Sequence, residues 1–562
     1  MTIQLFKKVL YKGIALIRSL SPGREECAFV TVNSGFWREY RHDNPAARFV
    51  LAEQQSNPII NHCNASFAAM VCHAQRLRPL YLLNFWRDQA LRRVLKSYAG
   101  SPEFVYTNGP RYLWPRLIAL IEAWRIFRTL RSPADILDIS IDGIRFGDIV
   151  YDNVLILGYA TIKRIDIKVF AVLYAFHVHR HIIKDIIRRF RPASSVFSHT
   201  IGLVSGIYTR YLLHAEIEVI NRVGSHQIIL QKYRDISDVG FYPLKPEPRN
   251  FRIMHDHASD TVIQLAEAYL DARHNQRINH IAVEIAFDRG KRLFETHQQF
   301  CGHYGLDPGK KNVFVMLHGF NDHPHSHFAR RMLYQDYFDW FMRTLEVAKL
   351  NPRMNWIFKE HPASQFYTTK DADLDAIFSG IEHPHIRFLN STADFNALSI
   401  RFLANVIVTC LGTAGMEYAC LGIPCVLAGE SPYSGFGFTM EPGSVAEYEN
   451  VLRGMEDLSN LDQAQVASAK IVMFFELAMM QDAPYHFCPE YDFRTIMTLK
   501  PHTLWRDLAA LMQDPSQQSK LEDQIRDLTG FIRDPGYSQY VNLERYSFMR
   551  EGIQHREGGP VT

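Results

Sequence analysis

Short apolar runs alternate with helical stretches in the first half of the chain. Residues 49–53 form an apolar run that ends at a polar loop, residues 66–74 have helical character, and residues 78–84 form a second strand-like run. A helical stretch at 171–190 and the strand-like residues 195–199 continue this order. Because strands and helices follow one another in turn, the pattern predicts a parallel sheet with helices on both faces.

A second alternating series follows the lysine-rich, glycine-containing segment 307–312, which we interpret as a linker. The series predicts helices and strands in this order: strand 313–317, helix at about 330–348, strands 356–359, 386–389 and 406–409, helix at about 415–421, and strand 424–428. Residues past 500 are predicted to form helices that pack back on the rest of the chain. The sequence therefore predicts two Rossmann-like α/β domains in tandem.

The chain length agrees with this division, because 562 residues exceed what one hydrophobic core usually organises. We expect four segments: a basic amphipathic segment at 1–40, an N-terminal Rossmann-like domain at 41–305, a C-terminal one at 306–495, and a helical segment at 496–562. Apolar residues make up 47% of the chain and charged residues 22%, which is a globular composition without a signature of disorder.

The net charge of +3 is small for this size and argues against a nucleic-acid partner, which requires a concentrated basic face. The eight cysteines form no CxxC pair and indicate reduced thiols. No signal-peptide pattern is present, so we expect a cytoplasmic protein. Residues 5–18 mix basic and apolar side chains and allow two interpretations: a terminal helix packed on the body, or a short amphipathic helix in peripheral contact with the inner face of the membrane.

Ligands of open parallel sheets bind beyond the carboxyl ends of the strands, so polar residues directly after strands are the first candidates. The apolar strand 406–409 ends in Thr409 and runs into Gly412-Thr413-Ala414-Gly415-Met416-Glu417. The glycines allow close backbone approach, and amides at a helix start favour a diphosphate or another anion. Glu417 is a candidate acceptor for ribose hydroxyls, although the glycines can equally serve helix packing and Glu417 the helix dipole.

The strand 356–359 delivers Lys359, Glu360 and His361 to its carboxyl end, where Pro362 stops the hydrogen-bonding ladder. Lys359 supplies positive charge for a phosphate. His361 is expected to titrate near neutral pH and to donate to a phosphate or stabilise a leaving group. The alternative is a polar strand end with a surface histidine.

A histidine-rich loop at 318–327 directly follows the first strand of the second series. Four histidines and an aspartate in ten residues suggest a metal site, but the spacing lacks HExxH or paired-cysteine geometry. We therefore expect no metal here and interpret Asn321, Asp322 and His323 as substrate contacts.

Asp148, Asp152 and His199 are the candidates in the first series for acceptor binding or general-base catalysis, because a transferase must remove a proton from the incoming hydroxyl. The structural alternatives are a helix cap for Asp148 and a hydrogen-bonded strand-end residue for His199. No nucleophile elbow or Walker A loop is present, which argues against a hydrolase or a P-loop kinase.

These blocks together resemble bacterial capsule and surface-polysaccharide biosynthesis proteins of the GT-B type, over about 145–440. The resembling blocks are Gly147-Asp148-Ile149-Val150-Tyr151-Asp152, Ser198-His199-Thr200, Asn321-Asp322-His323-Pro324-His325-Ser326, Asp336-Tyr337-Phe338-Asp339-Trp340, Asn355 to Pro362, and Gly412 to Pro424. The group includes capsule-type Kdo transferases and, more distantly, teichoic-acid glycerophosphotransferases. The resemblance implies two Rossmann-like domains facing a central cleft, with the acceptor in the N-terminal domain and a nucleotide-activated donor in the C-terminal domain.

The resemblance also implies roles for residues. The predicted catalytic residues are His361, Asp148, Asp152 and His199; the predicted donor-binding residues are Lys359, Pro362, Thr409, Gly412, Thr413, Gly415, Glu417, Asn321, Asp322 and His323. Glu360 stands where the group has a lysine, and Lys359 lies one position earlier. The implied function is sugar transfer from a nucleotide sugar, without a cofactor, to a glycan or lipid-linked acceptor of a growing capsule or O-antigen. The alternatives are a CDP-alditol phosphotransferase of the teichoic-acid type and a non-catalytic scaffold of a polysaccharide assembly complex.

Overall fold

The computed structural model describes residues 22–42, 44, 46–84, 89–238, 244–278, 281–326, 331–362, 364 and 368–557. The amphipathic segment predicted at 5–18 and His327 of the histidine-rich loop lie outside the described residues.

The strands of the described residues are β1 Phe49–Ala52, β2 Arg78–Leu83, β3 Glu103–Tyr106, β4 Ser140–Ile141, β5 Ile144–Arg145, β6 Ser194–Phe197, β7 Glu218–Gly224, β8 Gln227–Tyr233, β9 Asn312–Met316, β10 Asn355–Lys359, β11 Ile386–Leu389, β12 Val406–Thr409, β13 Cys425–Leu427, β14 Thr439–Met440 and β15 Ala483–Pro484. The α-helices are α1 Arg24–Phe36, α2 Pro58–Gln75, α3 Gln89–Leu95, α4 Leu113–Phe127, α5 Ala134–Leu137, α6 Gly147–Leu155, α7 Ile167–Phe190, α8 Ile207–His214, α9 Pro248–Asp256, α10 Ser259–His274, α11 Ile281–Ala286, α12 His297–Tyr304, α13 Tyr337–Leu350, α14 Leu374–Ser379, α15 Ile400–Leu403, α16 Ala414–Ala419, α17 Val445–Arg453, α18 Gln463–Leu477, α19 Phe493–Thr498, α20 Pro501–Gln513, α21 Pro515–Arg533 and α22 Ser547–Glu557.

The chain forms two compact units, each assembled from separate stretches of sequence. The first unit comprises 1–128, 173–239 and 482–540, and the second comprises 129–172, 240–481 and 541–562. This division differs from the expected continuous domains at 41–305 and 306–495. The helix α10, placed by the sequence pattern in the N-terminal domain, packs on α18 of the second unit. The C-terminal helices α20 and α21 pack on α1 and α2 of the first unit.

The first unit is built on a seven-stranded sheet in the order β15-β8-β7-β6-β1-β2-β3. Strands β7, β6, β1, β2 and β3 run parallel, and β8 and β15 add antiparallel pairs at one edge. The chain proceeds from β1 outward to β2 and β3, and later returns to β6 on the other side of β1. The strand order therefore reverses between β1 and β6, which is where open α/β sheets have their ligand crevice.

The helix α2 covers part of the first sheet and shows how local sequence defines an element. The side chain of Asn57 accepts hydrogen bonds from the amides of Ile59 and Ile60, and Pro58 occupies the first helical position. Arg76, with a φ of 56°, closes the other end in the left-handed conformation. Asn57 and Pro58 start the helix as the preferences of helix ends predict, whereas Arg76 stops it in a conformation that glycine usually adopts.

The second unit is built on a six-stranded, all-parallel sheet in the order β11-β10-β9-β12-β13-β14. Strands β10 and β12 are buried along their whole length, because helices cover both faces of a parallel sheet. The strand order reverses between β9 and β12, which lie side by side. A ligand crevice is therefore expected at the carboxyl ends of these strands.

The two α/β units confirm the predicted fold class, a pair of Rossmann-like domains. The predicted strands of the second series correspond to β9 to β13. The predicted helix at 330–348 begins only at Tyr337, because the Asp336 side chain caps it by accepting from the amide of Asp339. In the part of the chain that the structure describes, none of the helices combines the length and the apolar character needed to cross a membrane.

Candidate functional site

We call the place where the strand order of a sheet reverses its switch point. At the switch point of the second unit, polar side chains follow three neighbouring strands. His318 follows β9, Lys359 and His361 lie at the end of β10, and Thr409 ends β12. Strands β10 and β12 are both paired with β9, so their carboxyl ends share one edge of the sheet. The structure thus brings together Lys359, His361 and Thr409, and adds His318, which was considered only as part of the histidine-rich loop.

Thr409 and His318 hold the turn that leaves β12. The Thr409 hydroxyl donates to the carbonyl of Met316 and accepts from the amide of Gly412, both at 3.2 Å. Nε2 of His318 accepts from the amide of Leu411 at 3.2 Å, so this nitrogen carries no proton. Burial, and then the nearby His361, lower the pKa of His318 to about 3. The neutral imidazole is therefore a fixed support of the turn.

The next two amides of the chain take no part in this support. The amides of Thr413 and Ala414 have no hydrogen-bond partner among the described residues, and the Thr413 residue is exposed. The helix α16 that follows has only six residues, so its dipole contributes little and the amides themselves are the anion-binding groups. A phosphate oxygen would satisfy donors that the protein leaves unpaired.

The two glycines of the turn have different structural reasons. A Cβ on Gly412 would lie 2.9 Å from Oγ1 of Thr409. A Cβ on Gly415 would lie 2.6 Å from the hydroxyl of Tyr433 and 2.8 Å from Sγ of Cys425. Gly415 is buried, and its place in the structure is explained by helix packing, which was the alternative interpretation of this residue.

Lys359 and His361 form the basic side of the switch point. Burial and the charge of Lys291 lower the pKa of Lys359 to about 8, so its ammonium remains mostly charged at neutral pH. Burial, followed by the charge of Lys359, lowers the pKa of His361 to about 4. The expectation of a near-neutral pKa for His361 is therefore wrong, since the imidazole is neutral at pH 7. Glu360 accepts from the amide of Ser391 at 2.6 Å, and Pro362 follows His361 in the loop.

Glu417 is buried beside the turn and is paired with an arginine. Nε and Nη2 of Arg273 each donate to one carboxylate oxygen of Glu417 at 2.9 Å. Burial acts to raise the pKa of Glu417, but the Arg273 guanidinium outweighs it and holds the pKa below its ordinary value. The carboxylate predicted to receive ribose hydroxyls is thus already held in a two-point ion pair, which fixes its orientation.

Arg273 and Glu476 are members of this site that the sequence pattern did not single out. Arg273 lies on α10, and Glu476 lies on α18, where it is almost fully buried. Burial, and then the charge of Glu417, raise the pKa of Glu476 to about 8. Its Oε2 has no hydrogen-bond partner among the described residues. The only signal in the sequence was a glutamate inside an apolar helix.

Asp152 anchors the histidine-rich loop. Its carboxylate accepts from the amide and hydroxyl of Ser326, at 2.7 and 2.6 Å, and from the amide of His325. The side chain is fully buried and belongs to the second unit. The geometry therefore gives Asp152 a positioning role, and the expected general base of the first domain is not supported, because this carboxylate reaches no solvent.

Asp148 lies in the first turn of α6, one turn before Asp152, and also belongs to the second unit. Its Oδ1 accepts from the amide of Ile149 at 2.9 Å. The N-cap of α6 is Phe146 and has no side-chain hydrogen bond, so Asp148 is not the helix cap of the structural alternative. The expected position in the acceptor domain is corrected, because helix α6 packs with the second unit.

The remaining loop candidates lie close to this anchor. Asp322 donates its amide to the carbonyl of Gly319 at 3.0 Å, and His323 adopts a φ of 47°. Oδ1 of Asn321 is buried without a hydrogen-bond partner in the described part of the chain. Within the same residues, no group of three or more His, Cys, Asp or Glu side chains is arranged to hold a metal ion.

The switch point of the first unit holds His199 and a glutamate. Glu53 follows β1 and is buried; it accepts from the amide and hydroxyl of Ser198, at 3.1 and 2.9 Å, and from the hydroxyl of Ser205. Burial raises the pKa of Glu53, and these hydrogen bonds partly offset the effect. Nδ1 of His199 is buried and has no hydrogen-bond partner among the described residues. Burial, and then Arg222, lower its pKa.

A cavity of about 170 Å³ lies at the carboxyl end of β13 in the second unit. It is lined by Lys245, Arg331, Leu427, Gly429, Glu430, Ser434, Gly435, Glu441 and Pro442. The cavity was not predicted, although the glycine-rich sequence 429–437 directly after a strand is the kind of signal that marks such a place. It extends the candidate site from β12 to the neighbouring strand.

No protein-family model and no curated protein matches this chain. Similar solved structures include a β-Kdo 2,4-transferase, KpsC, from Thermosulfurimonas dismutans, with 13% identity, 50% of this chain and 79% of that chain covered, and a TM-score of 0.31. The wall teichoic acid polymerase TagF is 10% identical, with 93% and 99% covered and a TM-score of 0.20. A UDP-GlcNAc 2-epimerase from Neisseria meningitidis is 9% identical, with 76% and 98% covered and a TM-score of 0.21.

The first two of these proteins belong to the enzyme groups that the motifs of this chain resemble. With TM-scores this low, the similarity carries no conclusion about donor, acceptor or catalytic residues. What the geometry offers is an anion-binding turn, a charged lysine, a neutral histidine and an oriented carboxylate at one switch point.

Proposed function

We propose that this chain is a glycosyltransferase that moves a sugar from a nucleotide-activated donor to a growing bacterial surface polysaccharide of the capsule or O-antigen type. The second unit binds the donor, and the first unit contributes to the acceptor site. The transfer class and the polymer class rest on the motif resemblance between residues 145 and 440. The location of the donor rests on the switch point of the second unit.

The observation that carries the proposal is that Lys359 and His361, at the end of β10, and the unpaired amides of Thr413 and Ala414, which follow β12, lie at the same edge of the sheet. Two amides and one ammonium are suited to the negative charge of a donor phosphate. The same groups can stabilise the phosphate as it leaves, because charge accumulates on its oxygens in the transition state. In this proposal they, and no bound metal, offset that charge.

His361 and Glu417 take different roles in this scheme. The neutral imidazole of His361 is a hydrogen-bond donor to the departing phosphate. The carboxylate of Glu417, oriented by Arg273, retains free lone pairs and can accept from the two ribose hydroxyls of the nucleotide. Asn321, with its unpaired Oδ1, is the candidate from the histidine-rich loop for a further polar contact.

His199 is the candidate general base for the acceptor hydroxyl. Burial and Arg222 lower the pKa of His199, which favours the neutral imidazole that a base requires, and its Nδ1 makes no hydrogen bond within the described residues. Asp152 and Asp148 are not assigned to this step, because their carboxylates support the loop and the helix start of the second unit.

The test measures nucleotide binding first and transfer second. The melting temperature of the protein is expected to rise with CMP, CDP or UDP, since a ligand of the native state stabilises it. Lys359→Met should abolish the rise, and the exposed Lys163→Met, in the same unit, should retain it. A wild-type protein that binds none of the three nucleotides would contradict the proposal.

Transfer is then measured with intact donors and cell extract as the acceptor. His361→Ala is expected to reduce transfer by at least about a hundredfold, the typical cost of removing one transition-state donor, while nucleotide binding changes little. Incorporation of radiolabelled sugar supports the proposed reaction. Incorporation of alditol phosphate from a CDP-alditol, without sugar transfer, would replace it with the phosphotransferase alternative.

A further inference from the structure

The first unit carries an exposed apolar face on a single helix. In α4, the side chains of six large apolar residues are exposed: Leu113, Trp114, Leu117, Leu120, Ile121 and Trp124. At 100° per residue these positions fall within an arc of about 120° on the helix. We call them the α4 apolar face. Contiguous exposed apolar surface of this kind marks an interaction site.

The opposite side of α4 is fixed to the body of the first unit. Ala119 and Ala123 are fully buried. Glu122, the only acidic residue of the helix, accepts from Arg180 at 3.0 Å and pairs with His181 at 2.7 Å, both on α7. The helix therefore cannot rotate to bury its apolar face without breaking these contacts, and the exposure is a property of the folded unit.

The charges around the face identify what covers it. Arg125 and Arg128 are exposed and lie at the C-terminal end of the face. Because Glu122 is engaged by α7, the one acidic residue of α4 does not compensate the positive charge of Arg125 and Arg128 at the border of the face. A face of apolar side chains bordered by arginines complements an anionic lipid surface, in which acyl chains lie beneath negative headgroups.

The two tryptophans fit the same partner. Trp114 is 69% exposed and Trp124 is 53% exposed, and they stand roughly 15 Å apart along the helix axis. Tryptophan favours the membrane–water interface, because its ring is apolar and carries a polar N–H group. A helix of 15 residues with this pattern is too short to span a bilayer and suits a position in the plane of the interface.

We infer that the α4 apolar face docks the protein on a membrane surface rich in anionic phospholipid. A second copy of the chain is the alternative occupant of this face, and the experiment below distinguishes it from a lipid surface. The inference is independent of the proposed sugar transfer. It also differs from the membrane contact considered for residues 5–18, since it concerns a folded helix of the first unit.

The experiment is flotation of the full chain with vesicles of phosphatidylcholine alone or with 30% phosphatidylglycerol. Wild-type protein is expected to float with the anionic vesicles and at least tenfold less with neutral ones. The double substitution Trp114→Ser, Trp124→Ser is expected to lower binding to anionic vesicles at least tenfold. Arg125→Glu, Arg128→Glu is expected to remove the preference for anionic lipid. Unchanged melting temperatures show that the variants fold.

The matched control is Leu350→Ser, which removes an apolar side chain that is 79% exposed in the second unit, and it should bind as wild type. A second comparison substitutes Lys7, Lys8 and Lys12 with Glu. The inference is overturned if the tryptophan variant floats like wild type, if only the lysine variant loses binding, or if the face instead mediates a dimer that the tryptophan substitutions dissociate in light scattering.

Depth of insertion gives an independent readout. Trp37, Trp340, Trp356 and Trp505 are buried, and Trp86, which lies outside the described residues, is replaced by Phe in both compared proteins, so quenching by brominated acyl chains reports mainly on Trp114 and Trp124. Emission of the Trp86→Phe protein should be quenched by anionic vesicles that carry brominated chains, and the quenching should disappear in the double tryptophan variant. Equal quenching in both proteins would contradict docking through α4.

Discussion

Burial decides the protonation state of the basic groups at the switch point of the second unit. Lys359 and His361 both lie at the end of β10, and burial lowers the pKa of both. The lysine keeps its proton at pH 7, whereas the histidine does not. At pH 7, Lys359 therefore supplies positive charge, and the neutral imidazole of His361 supplies a hydrogen-bond donor.

Nucleotide affinity is predicted to fall as the pH rises through about 8, the pKa of Lys359 in the free protein. Below this pH the ammonium is present and binds phosphate; above it the lysine is neutral. Bound phosphate favours the ammonium, so binding takes up a proton, and the dissociation constant rises up to about tenfold per pH unit. Calorimetry between pH 7 and 9.5 measures this, in a range where the phosphate itself stays ionised.

Lys359→Met should give a flat and weak profile over that range, whereas Lys163→Met should follow the wild type. A wild-type affinity that stays constant from pH 7 to 9.5 would show that Lys359 does not contact the phosphate.

The individual residues of the site were predictable where a strand placed them. Lys359, His361, Thr409, Gly412 and Thr413 follow apolar runs, and parallel strands end at a common edge, so their proximity follows from the pattern. The partners that orient them were not predictable. Arg273 meets Glu417 across 144 positions of sequence, and no local pattern encodes such a contact.

At the scale of elements, the sequence predicted the strands of the second unit well and the short helix at the turn less well. Strand β12 was predicted with the bounds that the structure has, because a buried parallel strand is a continuous apolar run. Helix α16 spans Ala414–Ala419, although the pattern suggested a later start and a longer helix. Glycine at 415 obscured the start, since glycine has a low helix propensity and here serves packing.

Gly415→Ala is predicted to destabilise the protein by about 1–3 kcal/mol, because the added methyl would overlap the Tyr433 hydroxyl and Sγ of Cys425. The comparison is Gly302→Ala in α12, where an added Cβ meets nothing within 4 Å. That substitution should stabilise by about 0.5–1 kcal/mol through helix propensity. Urea denaturation of both variants measures the difference.

Equal stability of the Gly415→Ala and Gly302→Ala variants would mean that packing does not explain Gly415. Its glycine would then have to be attributed to close backbone approach by a ligand, which was the functional interpretation of this position.

At the scale of the whole molecule, the order of the elements along the chain did not predict which of the two units each segment joins. Residues 129–172 and 240–305 were expected in the N-terminal domain but belong to the second unit. Local periodicity reports which elements form, and it carries no information about which sheet a helix will cover. Asp148, Asp152 and Arg273 lie in these segments. They therefore belong to the second unit, and the sequence pattern assigned them to the wrong domain.

Glu476 is predicted to contribute a decrease in the stability of the second unit as the pH rises from about 5 to about 8, opposite in sign to the contribution of the buried histidines His318 and His361, whose pKa values are lowered. Its pKa is raised from 4.5 to about 8 in the folded protein. Between these values the folded protein holds a proton that the unfolded chain has released, so stability falls with pH by at most about 1.4 kcal/mol per unit. The full contribution is present below pH 4.5 and is lost above pH 8.

Glu476→Gln keeps the shape of the protonated acid and cannot ionise, so it should remove this slope. The variant is expected to match the wild type at pH 5 and to exceed it at pH 8 by on the order of 2–4 kcal/mol. Hydrogen exchange of α18 peptides at both pH values, corrected for intrinsic rates, isolates the second unit from the first. The exposed Glu382→Gln should behave as wild type. If the difference in stability between wild type and Glu476→Gln is the same at pH 5 and pH 8, then Glu476 does not hold a proton in the folded protein.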